Sequence, residues 1–237
     1  MENIRLAEIE IELIQKNIKN VHLSVYPPHG KVRVSAPTSM SRDVIRAFLI
    51  SKLPWIRSQQ QSINAQEREA PREYVDRESH YFKGERMLLE IHHTTGPHRV
   101  VRNHRTLQLY LRSGSGKESK QRLLEQFYRD YLKSEIPLYI AKHEPLIGVK
   151  VEELGIKKMR TRWGTCSHEA GRIWVNLELA KKPPECLEYL VVHEMVHLLE
   201  PRHNARFKAL MDRYYPRWRS VREELNRLPV RHEEWGY

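Results

Sequence analysis

Apolar and polar residues alternate one for one near the start of the chain. Ile9, Ile11 and Leu13 alternate with acids, Val21, Leu23 and Val25 repeat the pattern, and Val32 and Val34 continue it. A period of two over short runs predicts strands within residues 4–36. Pro27-Pro28-His29-Gly30 predicts the turn joining the last two. Ser41 reads as the N-cap of a helix through Val44, Phe48 and Leu49 to about Gln61, with a kink at Pro54. Residues 62–79 are polar and irregular.

A second group of short strands follows at Tyr81-Phe82, Leu88 to Ile91, Val100-Val101 and Leu107 to Leu111. Gly84 and Gly96-Pro97 break it into pieces. Ser113-Gly114-Ser115-Gly116 reads as a linker. This division predicts two parts, a mainly antiparallel β subdomain with one helix over 1–112 and a more helical domain over 113–237. The fold class is α+β. No internal repeat is visible in the residues.

Beyond the linker the apolar spacing turns helical. Leu123, Leu124, Phe127, Tyr131, Leu132 and Ile136 predict a helix from Lys117 to about His143. Met159 to Val175 predicts a short antiparallel pair turning at Gly171. Pro183-Pro184 opens the next helix and Pro201 closes it. Asn204 caps a helix from Ala205 to about Tyr214, and a last helix runs from Trp218 to Leu228.

The helix between the two prolines carries the chemistry. It contains His193-Glu194-Met195-Val196-His197, followed by His203, the pattern H-E-x-x-H-x5-H. Histidines four apart share one helix face. Imidazole nitrogens suit Zn²⁺, and three protein ligands leave a zinc site open for catalysis. Glu194 stands between two ligands, where it can take a proton from water. The surrounding Leu187, Leu190, Val191, Val192, Met195, Val196, Leu198 and Leu199 make the helix apolar on nearly every side. It is therefore a buried helix, and buried polar groups need partners. A metal would supply them.

Composition adjusts this picture in three ways. The net charge of +11 makes an anionic partner such as nucleic acid or a phosphorylated ligand plausible. Basic residues gather between Arg99 and Arg122 and again from Arg206 to Arg231. Two cysteines, Cys166 and Cys186, exclude a disulfide framework and suit a reducing compartment. No apolar run approaches a membrane span, and the acidic first residues do not read as a signal peptide. A cytoplasmic protein without membrane partners is the expectation.

The segment Arg162-Trp163-Gly164-Thr165-Cys166-Ser167, a returning strand with Asn176, and His193-Glu194-x-x-His197-x5-His203-x3-Phe207 together resemble the YgjP-like metallopeptidases, which are akin to SprT-like zincins. The likeness covers roughly residues 115–228. It implies a zincin-like fold, an active-site helix beneath a small antiparallel sheet. It also implies zinc on His193, His197 and His203 with Glu194 as base. The metzincin pattern shares the histidine spacing but has glycine where this chain has Glu200.

The leading reading is zinc-dependent hydrolysis of peptide bonds. Arg160 and Arg162 are the candidates for a second positive donor to the transition state. Glu178, Glu188 and Glu200 are alternatives for the carboxylate that orients the imidazoles. Trp163 reads first as a packing residue and Cys166 as a small buried one, a fourth metal ligand being its other reading. Two rival functions remain. One is hydrolysis of a nucleoside triphosphate to release pyrophosphate, using the metal and the cluster Lys157, Lys158, Arg160 and Arg162. The other is nucleic-acid binding with zinc as a structural staple.

Overall fold

The computed structural model describes residues 2–26, 29–65, 72–159 and 162–227. Pro27 and Pro28 of the expected turn, the site candidate Arg160 and the helix end Leu228 lie outside the described residues. The chain divides into two compact units, one before residue 72 and one from Arg72 onward.

The first unit holds β1 (Glu2–Leu6), β2 (Ile9–Lys16), β3 (His22–Tyr26), β4 (Lys31–Pro37) and α1 (Arg42–Ala65). The sheet order is β1-β2-β4-β3, with β2 and β4 parallel and the outer pairs antiparallel. The alternation seen in the sequence is the alternation of faces: Ile9, Ile11, Leu13, Val32 and Val34 are buried. Ile45, Leu49 and Ile56 of α1 complete their core. The helix runs on through Pro54.

The second unit begins with β5 (Ser79–Phe82), β6 (Glu85–His93), β7 (Arg99–Asn103) and β8 (Thr106–Leu111), followed by α2 (Lys117–Ile147). The order β5-β6-β8-β7, with β6 and β8 parallel, repeats the connectivity of the first unit. The chain thus contains a four-strands-then-helix motif twice. The residues conceal it because what repeats is the path, which needs only apolar alternation at each pair.

Leu124, Tyr128, Leu132 and Ile136 put an apolar residue on one face of α2 at every fourth position. That face shares a core with Leu107, Leu109 and Leu111 of β8, and the Tyr128 hydroxyl donates to the carbonyl of Tyr81 at 2.9 Å. The boundary read from sequence between 112 and 113 therefore falls inside the second unit. Ser113 to Gly116 is a strand-to-helix connection, because the helix after it packs on the sheet before it.

The rest of the unit frames the site. Strands β9 (Glu153–Lys157), β10 (Gly164–Ser167) and β11 (Arg172–Asn176) form a sheet in the order β10-β11-β9. The β10–β11 hairpin is the expected antiparallel pair, and β9 adds a parallel neighbour. Gly155 lies opposite Trp174, and a Cβ there would come within 2.2 Å of the indole ring. A 3-10 turn over Leu177–Lys181 leads into α3 (Pro184–Val196), then α4 (Ala205–Tyr214) and α5 (Trp218–Arg227). Helix α3 is apolar all round because it has neighbours all round: α2, α4, α5, β10 and β11. Mixed sheets and five α-helices among the described residues make an α+β fold. Among the described residues, no helix is long and apolar enough to cross a membrane.

Candidate metal centre

Helix α3 starts with Pro184 in its first turn, where a missing N–H costs nothing. It ends at Val196, so His197 is its C-cap and His193 stands one turn earlier on the same side. Pro201 lies in the turn that follows. Asn204 then caps α4, its side chain accepting from the Phe207 N–H at 3.0 Å. His203 sits just before that cap, brought back over α3.

The three imidazoles converge through the same ring atom. His203 Nε2 lies 3.0 Å from His193 Nε2 and 3.0 Å from His197 Nε2. Three nitrogens around one zinc at its usual bond length would be about 3.3 Å apart, so the set fits a single small cation. Burial holds the His193 imidazole at a pKa of about 3, with His197, His203 and Arg222 adding to the effect. Burial also lowers His197 and His203. Neutral imidazoles are the form that binds metal. Among the described residues no cysteine or carboxylate, Cys166 included, joins this cluster.

The expected carboxylate support is absent from His197. Its Nδ1 lies 3.0 Å from the Glu200 backbone carbonyl, which fixes the proton on Nδ1 and leaves Nε2 free to ligate. Glu200 thus serves through its main chain. Glu188 is paired with Lys142 and His143 of α2, and Glu178 with Lys181. The rings are aligned instead by Phe207, whose centroid lies 4.9, 4.6 and 4.8 Å from those of His193, His197 and His203. Phe207 is itself buried, 2% exposed.

Glu194 is 4% exposed. Burial raises its carboxyl to about 8, and the charge of Arg162 works against that rise. Its position depends on Gly164 of β10: a Cβ there would stand 2.6 Å from Glu194 Oε1 and 3.0 Å from Cγ and Cδ. The glycine leaves the hole that the carboxylate fills.

Next to these groups a cavity of about 850 Å³ opens between β10 and helices α3, α4 and α5. Arg162 and Trp163 line it from the chain entering β10. Asn176, 4% exposed, ties that chain down. Its amide donates to the Met159 and Arg162 carbonyls at 2.9 Å each, and its oxygen accepts from the Met159 and Glu178 N–H groups at 3.2 Å. The sequence reading did not select Lys208, Arg222 or Tyr189, all of which line the cavity. Arg222 was legible as one of the basic residues of the last helix, but no spacing signal tells which face of that helix meets the histidines.

A family model described as YgjP-like, metallopeptidase domain, matches residues 19–228. No curated protein matches the chain. Two solved structures show partial likeness. The metallopeptidase zymogen of Pyrococcus abyssi abylysin is 17% identical, over 40% of this chain and 99% of that one, with a TM-score of 0.36. The metallopeptidase zymogen of Methanocaldococcus jannaschii jannalysin is 15% identical, over 38% and 93%, with a TM-score of 0.35.

Proposed function

The chain belongs to the YgjP-like metallopeptidase family, and from that premise we propose that it hydrolyses peptide bonds with zinc on His193, His197 and His203 and Glu194 as proton carrier. One observation carries the reading: three Nε2 atoms meet at the wall of a cavity that Glu194 also lines. Zinc held there would supply Lewis acidity, bringing water toward ionisation near neutral pH and polarising a carbonyl. The protein's own groups do the rest. Glu194, buried beside Gly164, would be kept ionised by the charge of a neighbouring cation and in that form accepts a proton from water and returns it to the leaving amine. Arg162, at the cavity wall, offers a positive charge to the oxyanion; Arg160 is proposed beside it from sequence alone. β10 is an edge strand, so its outer backbone groups can pair with an extended peptide.

The test is direct. Wild type should hold one zinc per chain and cleave casein or a mixed peptide library, and Glu194→Gln should hold the zinc without cleaving. Full turnover by purified Glu194→Gln would remove Glu194 as the base.

A second reading, pyrophosphate release from nucleoside triphosphates, draws support from the arginines that line the cavity. Nucleotide turnover without peptide turnover would replace the first reading by this one. An open cavity beside the three ligands speaks against zinc as a mere staple. Contact with nucleic acid through the basic surface remains a companion proposal, tested by the salt dependence of DNA binding. The free cysteines Cys166 and Cys186 favour a cytoplasmic setting.

A further inference from the structure

The cavity beside the histidines is lined by cations from three separate elements: Arg162 ahead of β10, Lys208 on α4 and Arg222 on α5. Glu194 is the sole acid that lines it among the described residues. Among the described residues, none of the three cationic side chains makes an ion pair or a side-chain hydrogen bond. Some other cations of this unit are matched, though among the described residues surface ones such as Lys120, Arg122 and Lys133 are not. Lys181 pairs with Glu178, Lys142 with Glu188 and Lys158 with Glu125.

Helix α5 makes the contrast within ten residues. Arg219 is bound to Asp212, and Arg227 pairs with Glu223 at 3.2 Å. Arg222 lies between them with no such partner. The buried seam of α5 is Trp218, Val221 and Leu225. Arg222 follows Trp218 by four positions and precedes Leu225 by three, so it shares the side of the helix that faces the site. Its charge reaches His193, His203 and Tyr189. A cavity walled by unmatched positive charge focuses its field on whatever enters, and it repels cations as well as attracting anions.

We infer that this site selects peptides carrying a carboxylate close to the scissile bond, gripped by Arg222 with Lys208 and Arg162 around it. The inference rests on the metallopeptidase reading. The carboxylate can come from an acidic side chain or from the peptide's own C-terminus. Both offer the same two oxygens to a guanidinium fork.

The experiment separates the two claims. Zinc-loaded Glu194→Gln is titrated with fluorescent peptides identical but for one Glu, Gln or Lys, each with a free or an amidated C-terminus, and binding is read by anisotropy. Glu peptides should bind about tenfold tighter than Gln peptides and Lys peptides weakest. The preference should shrink in high salt and in Arg222→Gln, and Arg222→Glu should reverse it. Equal binding of Glu and Gln peptides with a general loss on amidation would assign the carboxylate to the terminus; a Glu preference that survives amidation would assign it to the side chain. Should Arg222→Gln fail to fold, Lys208→Gln and the salt titration of the parent carry the same comparison. In parallel, wild type cleaves a mixed library, and the residues flanking the cuts should be enriched in Asp and Glu. Efficient cleavage with equal kcat/KM for Glu and Gln peptides, and binding unchanged both by that residue and by amidation, overturns the carboxylate inference and leaves the peptidase reading standing. No cleavage of any peptide overturns both.

Discussion

Replacing Gly164 by alanine should disable the enzyme while leaving it folded and metallated. The new Cβ would stand 2.6 Å from Glu194 Oε1, against ordinary contact at 3.4 Å or more. The carboxylate oxygen must therefore retreat by roughly 0.8 Å, the difference of those two distances, and Cγ and Cδ by about half as much. Glu194 is a flexible side chain, so the fold can yield at that point. The strain there, about 1–3 kcal/mol at most, is offset in part by the lower backbone entropy of alanine in a strand, about 0.5–1 kcal/mol. Catalysis has no such tolerance. A displacement near 1 Å at a catalytic group costs about a hundredfold in rate, which corresponds to about 2.7 kcal/mol of barrier. Peptide cleavage by zinc-loaded Gly164→Ala should accordingly fall about a hundredfold in kcat/KM. Urea unfolding should shift by no more than about 1–2 kcal/mol, and zinc content by metal analysis should stay at one per chain. Activity within threefold of wild type would refute the argument that this hole positions the carboxylate. Loss of zinc would refute the claim that the disturbance stops at Glu194.

Further outcomes can be checked alongside it. His193→Ala or His197→Ala should abolish stoichiometric zinc binding; unchanged zinc in both would remove them as ligands. In the metal-free protein Glu194 titrates near 8, above its unfolded value of 4.5, so the folded state holds its proton longer and stability falls as pH rises between those values. The histidines act in the opposite sense, but only below 6.5. Wild type without metal should therefore lose about 1–2 kcal/mol from pH 6.5 to 8 relative to Glu194→Gln, measured by urea unfolding; parallel profiles would contradict the buried protonated carboxyl. Asn176→Ala strips the partners from Met159, Arg162 and Glu178 and should cost about 2–4 kcal/mol, with reduced turnover; stability unchanged would deny it the anchoring role. Gly155→Ala meets the Trp174 ring at 2.2 Å, a rigid obstacle, and should destabilise by about 1–3 kcal/mol; a neutral result would mean the ring can slide.

What the sequence made readable and what it hid follow one division. Features fixed by spacing along the chain were legible: His193 and His197 one turn apart, Pro184 opening α3, Asn204 as a cap, Gly171 in the hairpin; the end of α3 was not, since the helix stops at Val196, before Pro201 is reached. Features fixed by what folds back from elsewhere were not. Glu153–Lys157 gives no alternating signal, yet it becomes β9 because β11 offers it a parallel edge. Ser113 to Gly116 looks like a hinge by composition, and only the packing of Leu124 and Tyr128 on the preceding strands shows that it is not. The same holds inside the site. The nearest support of His197 comes from a carbonyl, which every residue has and no motif can flag. Arg222 looks like any other basic residue of its helix until Trp218 and Leu225 fix which side faces the histidines.

That α3 stops at His197 has an electrical consequence. The aligned peptide dipoles of a helix leave about half a negative charge at its C-terminal end, and a cation there gains about 0.3–1 kcal/mol. Two of the three imidazoles sit in that last turn, so the helix itself favours a cation at their meeting point and disfavours an anion. That half charge offsets, at the histidines alone, part of the repulsion that Arg162, Lys208 and Arg222 exert on an incoming cation.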